Sequence, residues 1–394
     1  MKEELSMRGS VKQDKKTKKW FYEVTVSTDP VTGKRKRKKK RGFATEKAAQ
    51  KALTALLAEI QNEGYVDPSK VPLSNYLAEF LKVRSTELEK ETFKMEKGNM
   101  ETHVIPELGK LALGKITSDR LQKFINKLLE EKGLQASSVK RIFDPLRIAL
   151  DRAVMRGLIR ENPANAVIKP KITRAEMTVW SREDVIRFLN FAKKDRMFML
   201  FHLAFTTGLR QGELLGLRWK DLDMEQGLLR VTQVLTRDGE LKPRGKSAAA
   251  TRAVTLMDET IQLLKKHKAM LASEKLAAGE KYKDFGLILP SSKGTPLLHR
   301  NTNRSFDRLV KEYNELADKM KEVNNIEVPK LEKIRFHDMR HTHATLLLLA
   351  GENPKIVAER LGHSKVSVTL DTYSHVLPNM QKDVANKLAE VLNG

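Results

Sequence analysis

Along residues 20–26 apolar and polar side chains alternate, placing Trp20, Tyr22, Val24 and Val26 on one face. A period of two predicts a half-buried β-strand. Asp29-Pro30-Val31-Thr32-Gly33 follows as a turn signal, and then an unbroken basic run from Lys34 to Arg41. The period next changes to that of a helix. Thr45 is a candidate cap, Ala48, Ala49, Ala52, Leu53, Leu56, Leu57 and Ile60 form one stripe, and Gly64 supplies a stop. Residues 1–66 are therefore predicted to form a small three-stranded sheet packed on one helix.

Residues 67–170 are predicted to be all-helical, with helices over 73–82, 88–103, 118–132 and 136–156. Val104 to Gly109, with Pro106 at its centre, breaks the pattern, and Gly157 and Glu161-Asn162-Pro163 end the last helix. Residues 171–394 are mixed but mainly helical. Ser181 precedes Arg182-Glu183-Asp184 as a cap. Residues 228–234, 240–242 and 252–256 suggest short strands of a small antiparallel sheet, Ile334 to Phe336 suggests another, and long helices follow. The fold class expected is multidomain α+β.

Charge sharpens this picture. The 394 residues hold 74 Lys+Arg against 50 Asp+Glu, a net charge of +24. Counted from the sequence, residues 1–66 contain 17 basic and 8 acidic side chains, a surplus of nine. Such an excess points to a polyanionic partner, because basic side chains bind nucleic acid by releasing its condensed counterions. A two-stranded ribbon fits the DNA major groove, so Lys34, Arg35, Lys36, Arg37, Lys38, Lys39, Lys40 and Arg41 are candidate DNA contacts. The scattered basic residues of the helical region suit a solvated face. With no cysteine, disulfides, thiolate metal sites and a Cys nucleophile are excluded. The N-terminus lacks a signal-peptide core, and the apolar run from Leu346 to Ala350 is too short to span a bilayer. No membrane association and a cytoplasmic location are expected.

The residues with chemistry to offer stand in a fixed order. Arg210 follows Gly208, which interrupts a helix, and Glu213 lies one turn on, where it can hold the guanidinium. His337 and Arg340 share a face in His337-Asp338-Met339-Arg340-His341-Thr342-His343, at the start of an apolar helix. Met339, His343, Leu346, Leu347 and Ala350 form the stripe of that helix, which predicts a packed core role for His343. His337 and His341 have the i, i+4 spacing of metal ligands, but an obvious third ligand is missing. Then come Leu361-Gly362-His363 and, ten residues after His363, Tyr373.

This ordered set resembles the tyrosine recombinase (phage integrase) family, and the likeness covers the third region. The two upstream regions resemble, more loosely, the arm-binding and core-binding domains of integrases from conjugative transposons and temperate phages of Gram-positive bacteria. The domains expected are then an arm-type DNA-binding domain (1–66), a helical core-site-binding domain (67–170) and a catalytic domain (171–394).

The resemblance implies a site-specific recombinase that cuts and rejoins DNA through a 3′-phosphotyrosine intermediate and a Holliday junction. In it Arg210 and Arg340 clamp the scissile phosphate. His337 assists proton transfer or binds phosphate, and His363 donates to a phosphate oxygen. Tyr373 attacks phosphorus, with Glu213 supporting Arg210. The family's hairpin lysine falls best on Lys246, with Lys242 the weaker candidate. Neither a metal nor any other cofactor is implied. The implied partners are double-stranded DNA with core and arm sites, three further copies of the chain in a tetramer, and accessory excision and architectural proteins.

Phosphoryl transfer rests on positioning and charge stabilisation, which suits this set. A tyrosine of ordinary pKa is neutral at working pH, so the cationic cluster is expected to help it lose its proton. A chromosome-dimer resolvase is a second reading, disfavoured by the basic N-terminal region. A DNA-binding regulator without catalysis fits the composition equally well and is separated from the enzyme only by the ordered set. Val384, Leu388, Val391 and Leu392 near the C-terminus form a stripe that needs a dock, on the chain itself or on a neighbouring subunit.

Overall fold

The alternation at residues 20–26 becomes the central strand of a sheet in the computed structural model. It describes residues 9–28, 35–63, 69–172, 177–244 and 252–373, together with Ala389 and Leu392. The chain divides into two units, residues 1–174 and 175–394.

In the first unit, β1 (Gly9–Gln13), β2 (Trp20–Thr28) and β3 (Arg35–Phe43) form an antiparallel sheet in the order β1-β2-β3. Helix α1 (Glu46–Glu63) covers one face, where Tyr22 and Val24 pack against Leu53 and Leu56. The basic run is thus an edge strand. Its charges block further strand pairing. Register places Phe21 opposite Arg41 and Glu23 opposite Lys39, so these side chains share the face away from the core. There the Lys39 ammonium lies 3.9 Å from the Phe21 ring centre.

The helical part contains α2 (Leu73–Glu87), α3 (Lys90–Asn99), α4 (Ile105–Leu108), α5 (Ser118–Glu130) and α6 (Ala136–Met155). Leu77, Leu121, Phe124, Leu146 and Leu150 are fully or almost fully buried between them. The break expected at Val104–Gly109 is not there. A π-helical turn, Met100–Val104, joins α3 to α4 directly. The Ile105 amide reaches back to the Met100 carbonyl. Pro106 then stands in the first turn of α4, just past the wider π-turn. The helix expected over 88–103 starts instead at Lys90, because Glu89 is extended.

The second unit begins with α7 (Arg182–Ala192). Ser181 caps it by accepting from the Asp184 amide at 3.1 Å, while Asp184 accepts from the Ser181 amide. Helix α8 (Phe198–Thr207) is apolar nearly all round and runs through the core, where Trp180 stacks on Phe205 with ring centres 5.6 Å apart. It stops at Gly208, which takes the left-handed conformation, φ +63°. Helix α9 (Gln211–Leu215) follows.

Strands β4 (Leu222–Asp223), β5 (Leu228–Val231) and β8 (Arg252–Thr255) form one antiparallel sheet, and β6 (Gln233–Leu235) pairs with β7 (Leu241–Pro243) in a separate hairpin. The single strand expected over 228–234 is therefore two, in different sheets. Helices α10 (Asp258–Ala278), α11 (His299–Asn324), α12 (Asp338–Leu349), α13 (Pro354–Leu361) and α14 (Val366–Tyr373) complete the unit. Ile334 to Phe336 is not a strand. Ile334 and Phe336 bury their side chains in the core without ladder bonds. Among the described residues no helix is long and apolar enough to cross a membrane.

Candidate active site

Two left-handed glycine turns build the floor of the site. Gly208 ends α8, and Gly362, φ +69°, ends α13. A helix C-terminus leaves carbonyls without intrahelical partners and carries partial negative charge. Arg340, in the first turn of α12, satisfies both ends. It donates through Nη1 to the Gly208 carbonyl at 2.7 Å and through Nη2 to the Leu361 carbonyl at 2.8 Å. Its side chain is buried, and desolvation, with the nearby charges of Arg210 and Arg252, brings its pKa down to about 10. Among the described residues two of its five N–H donors are engaged in this way, which leaves three for an anion.

Arg210 precedes α9. Its amide donates to Glu213 at 2.9 Å and its Nη1 donates to the same carboxylate at 3.1 Å, while Nη2 lies 3.5 Å from the Gly362 carbonyl. The Arg210 side chain is 43% exposed, so its guanidinium is open to a ligand. Glu213 is almost fully buried and serves two further arginines. Arg252, from β8, donates to it at 2.7 and 3.1 Å, and Arg244 Nη1 stands 2.8 Å away. Burial pushes Glu213 up, but Arg252, the Arg210 amide and Arg244 together outweigh it and hold the carboxyl below its usual range. Glu213 stays ionised among three cations.

His363 follows Gly362, and its Nδ1 lies 2.7 Å from the Thr369 hydroxyl. Desolvation first, and then the charges of Arg340, Arg210 and Arg252, hold it at about 4. His337 stands just before α12 and is exposed, and desolvation of its ring followed by the Arg340 charge lowers its pKa. Tyr373 ends α14 with 1% exposure, packed among Ala344, Leu348, Val357 and Leu361. Burial pushes its phenol up to about 12 despite the Arg340 charge. In the free protein the Arg340 charge therefore acts in the expected direction, and desolvation outweighs it.

Arg210, Arg340 and His363 converge on the Gly362 turn, and His337 lies within reach of the charges of Arg340 and Arg210. Lys246 and Lys34 lie outside the described residues, as do Val384, Leu388 and Val391. Lys242, on β7, pairs with Glu240 at 3.5 Å on the surface. Arg37 to Arg41 lie on β3, with Arg37, Lys39, Lys40 and Arg41 exposed. His343 is a buried structural residue. A carbonyl can only accept, so His343 Nδ1 donates to Phe205 at 2.7 Å, and Nε2 accepts from Arg360 at 3.3 Å. That fixes the neutral tautomer, in keeping with a pKa that burial holds near 4.

Three residues at the site escaped the sequence reading. Arg244 and Arg252 lie 31 and 39 residues beyond the carboxylate they share, and local spacing carries no signal for them. His341 was weighed only as a metal ligand. In the structure its Nδ1 stands 2.7 Å from the Tyr373 hydroxyl. Its place beside Arg340 was the one available hint.

Residues 179–380 match the Phage integrase family, residues 10–60 the Arm DNA-binding domain, and residues 73–129 the Phage integrase, N-terminal SAM-like domain. The ICEBs1 integrase of Bacillus subtilis (strain 168) is 30% identical over 390 residues, covering 96% of this chain and 99% of that protein. A XerC-like tyrosine recombinase of Caldanaerobacter subterraneus is 29% identical, covering 95% and 97%. The Tn1549 transposon integrase, solved in complex with transposon right end DNA, shares the fold with a TM-score of 0.67 at 23% identity, covering 81% of this chain and 99% of that one. The chain belongs to the phage integrase family of site-specific tyrosine recombinases.

Proposed function

We propose that this recombinase joins a mobile element to a chromosome, and excises it, by DNA strand transfer through Tyr373. The observation that carries the reading is the convergence of Arg210, Arg340 and His363 on the Gly362 turn, with Tyr373 on the next helix. In this reading the free N–H groups of Arg210 and Arg340 take the non-bridging oxygens of one phosphodiester. Planar guanidinium forks suit that task. Glu213 holds Arg210 in place. His363 donates to a phosphate oxygen, and His337 binds the phosphate or assists proton transfer.

The Tyr373 oxygen attacks phosphorus, the P–O5′ bond breaks, and Lys246 protonates the leaving 5′-oxygen. The 3′-phosphotyrosine keeps the energy of the phosphodiester, so a 5′-hydroxyl from another strand can restore the backbone without ATP. Repeating the exchange through a Holliday junction completes recombination. Residues 1–66, with the face of β2 and β3 that carries Phe21, Lys39 and Arg41, bind arm-type sites. Residues 67–170 and 171–394 bind the core site. Four copies act together on DNA, and accessory proteins set the direction.

The test is covalent trapping. The full-length protein is incubated with EDTA on nicked duplex DNA spanning the ends of the element that carries its gene. A protease-sensitive DNA adduct made by the wild type and not by Tyr373→Phe is the expected result. An adduct that persists in Tyr373→Phe overturns the assignment of the nucleophile, and tight binding without any adduct favours a DNA-binding protein that has lost its chemistry.

A further inference from the structure

The proton on the Tyr373 phenol needs a destination when the oxygen attacks, and the resemblance alone points to His337. The geometry points elsewhere. Among the described residues the one hydrogen-bond partner of the Tyr373 hydroxyl is His341 Nδ1, at 2.7 Å. His341 follows Arg340 directly, so the imidazole and the guanidinium proposed to hold the phosphate sit on the same turn of α12. The His337 ring meets His341 edge-on, with centres 4.9 Å apart and planes at 88°, and thereby fixes the orientation of the ring that touches the tyrosine.

Protonation states settle the direction of the bond. Burial keeps the phenol protonated. Desolvation, then His337, with Arg340 and Arg335 adding to it against the opposing Asp338 charge, holds His341 near 4, so it is neutral at neutral pH. His363 faces the His341 ring from the α13–α14 side, and Tyr373 itself faces it from α14. With both groups neutral, an O–H to Nδ1 bond leaves no donor stranded, whereas the opposite arrangement leaves the buried phenolic hydrogen without an acceptor.

Resting on the assignment of Tyr373 as nucleophile, we propose that His341 is a catalytic residue that takes the phenolic proton on Nδ1 during attack and returns it during religation. In the forward step the Tyr373 O–H and P–O5′ bonds break, and the Nδ1–H and tyrosyl O–P bonds form. The leaving 5′-oxygen takes its proton from a separate acid. In the reverse step the incoming 5′-hydroxyl expels the tyrosine, which recovers its proton from His341. A phosphate seated on Arg210 and Arg340 neutralises part of the positive field around His341 and strengthens it as a base when substrate is present.

The experiment compares His341→Asn, whose amide keeps an acceptor near the place of Nδ1, and His341→Phe with wild type and Tyr373→Phe. Each full-length protein is assayed on two suicide duplexes, one with the natural 5′-oxygen and one with sulfur at the bridging 5′-position. A thiolate leaves without needing a proton, so the sulfur duplex isolates activation of the nucleophile. Rates are taken on the DNA-bound fraction. Both His341 variants are expected to lose about 10²–10⁴-fold in adduct formation on both duplexes, whereas Lys246→Ala recovers on sulfur. Either His341 variant cleaving the oxygen duplex within threefold of wild type, or recovering on sulfur, overturns the proposal. An adduct that persists in Tyr373→Phe instead removes Tyr373 from the role of nucleophile.

Discussion

Replacing Glu213 by Gln keeps the shape of a side chain that is 3% exposed and removes its charge. Its carboxylate is the shared anion of Arg210, Arg252 and Arg244. The Gln amide retains one acceptor oxygen and turns an NH₂ group towards guanidinium N–H donors. Arg252, whose side chain is 11% exposed, then has no buried counter-charge. Breaking a buried ion pair by removing one partner costs about 3–5 kcal/mol. In a domain of this size each kcal/mol moves Tm by about 2–4 °C. The expected fall is therefore on the order of 10 °C, read by far-UV circular dichroism of the full-length protein. Adding Arg252→Met removes the stranded cation, so the double variant is expected to lose less than the two single losses combined. A Glu213→Gln protein that melts within 2 °C of wild type, or strictly additive losses, would falsify the view that this carboxylate ties β8 to the Arg210 turn.

Two further outcomes follow from neighbouring features. His343 is neutral in the fold with a pKa near 4 and titrates at its ordinary value of about 6.5 when unfolded, so the unfolded chain binds the extra proton first. Its contribution is intact above pH 6.5 and is lost as pH falls towards 4, by about 3 kcal/mol. Thermal melts of wild type are thus expected to steepen in that window, and those of His343→Gln to be flatter there; parallel curves would refute this. Gly208→Ala puts a Cβ 2.5 Å from the His343 ring and 2.8 Å from Leu361, at a φ of +63°. It is expected to cost at least 2 kcal/mol and, by shifting the Gly208 carbonyl, to abolish adduct formation; wild-type cleavage by this variant would show that the Arg340 anchor is dispensable.

The parts of the molecule legible in the sequence are those that rest on local rules. The strand through Tyr22 and Val24, the Ser181 cap and the stop at Gly208 each follow from residues within a few positions. Arg210, Arg340, His363 and Tyr373 were legible as an ordered set. What stayed hidden is set by tertiary packing. The reach of Glu213 to Arg244 and Arg252 depends on where the β4-β5-β8 sheet lies. The meeting of His341 with Tyr373 spans 32 residues and depends on α14 folding back beside α12. Pro106 misled for another reason. A proline signals a helix break, but a π-turn directly before Pro106 carries the helix on into α4.

The two carbonyls that seat Arg340 belong to the main chain. No point substitution can delete them, and the side chain of Leu361 plays no part in the bond it accepts. A saturation scan of this enzyme would therefore find Arg340 intolerant, Gly208 and Gly362 nearly so, and yet no partner side chain to account for it. The sensitivity would surface as intolerance to inserting or removing a residue near the ends of α8 and α13, which rotates a carbonyl away from the guanidinium. In divergent relatives, the lengths of these two helix ends should accordingly be held more tightly than the identities of the residues that line them.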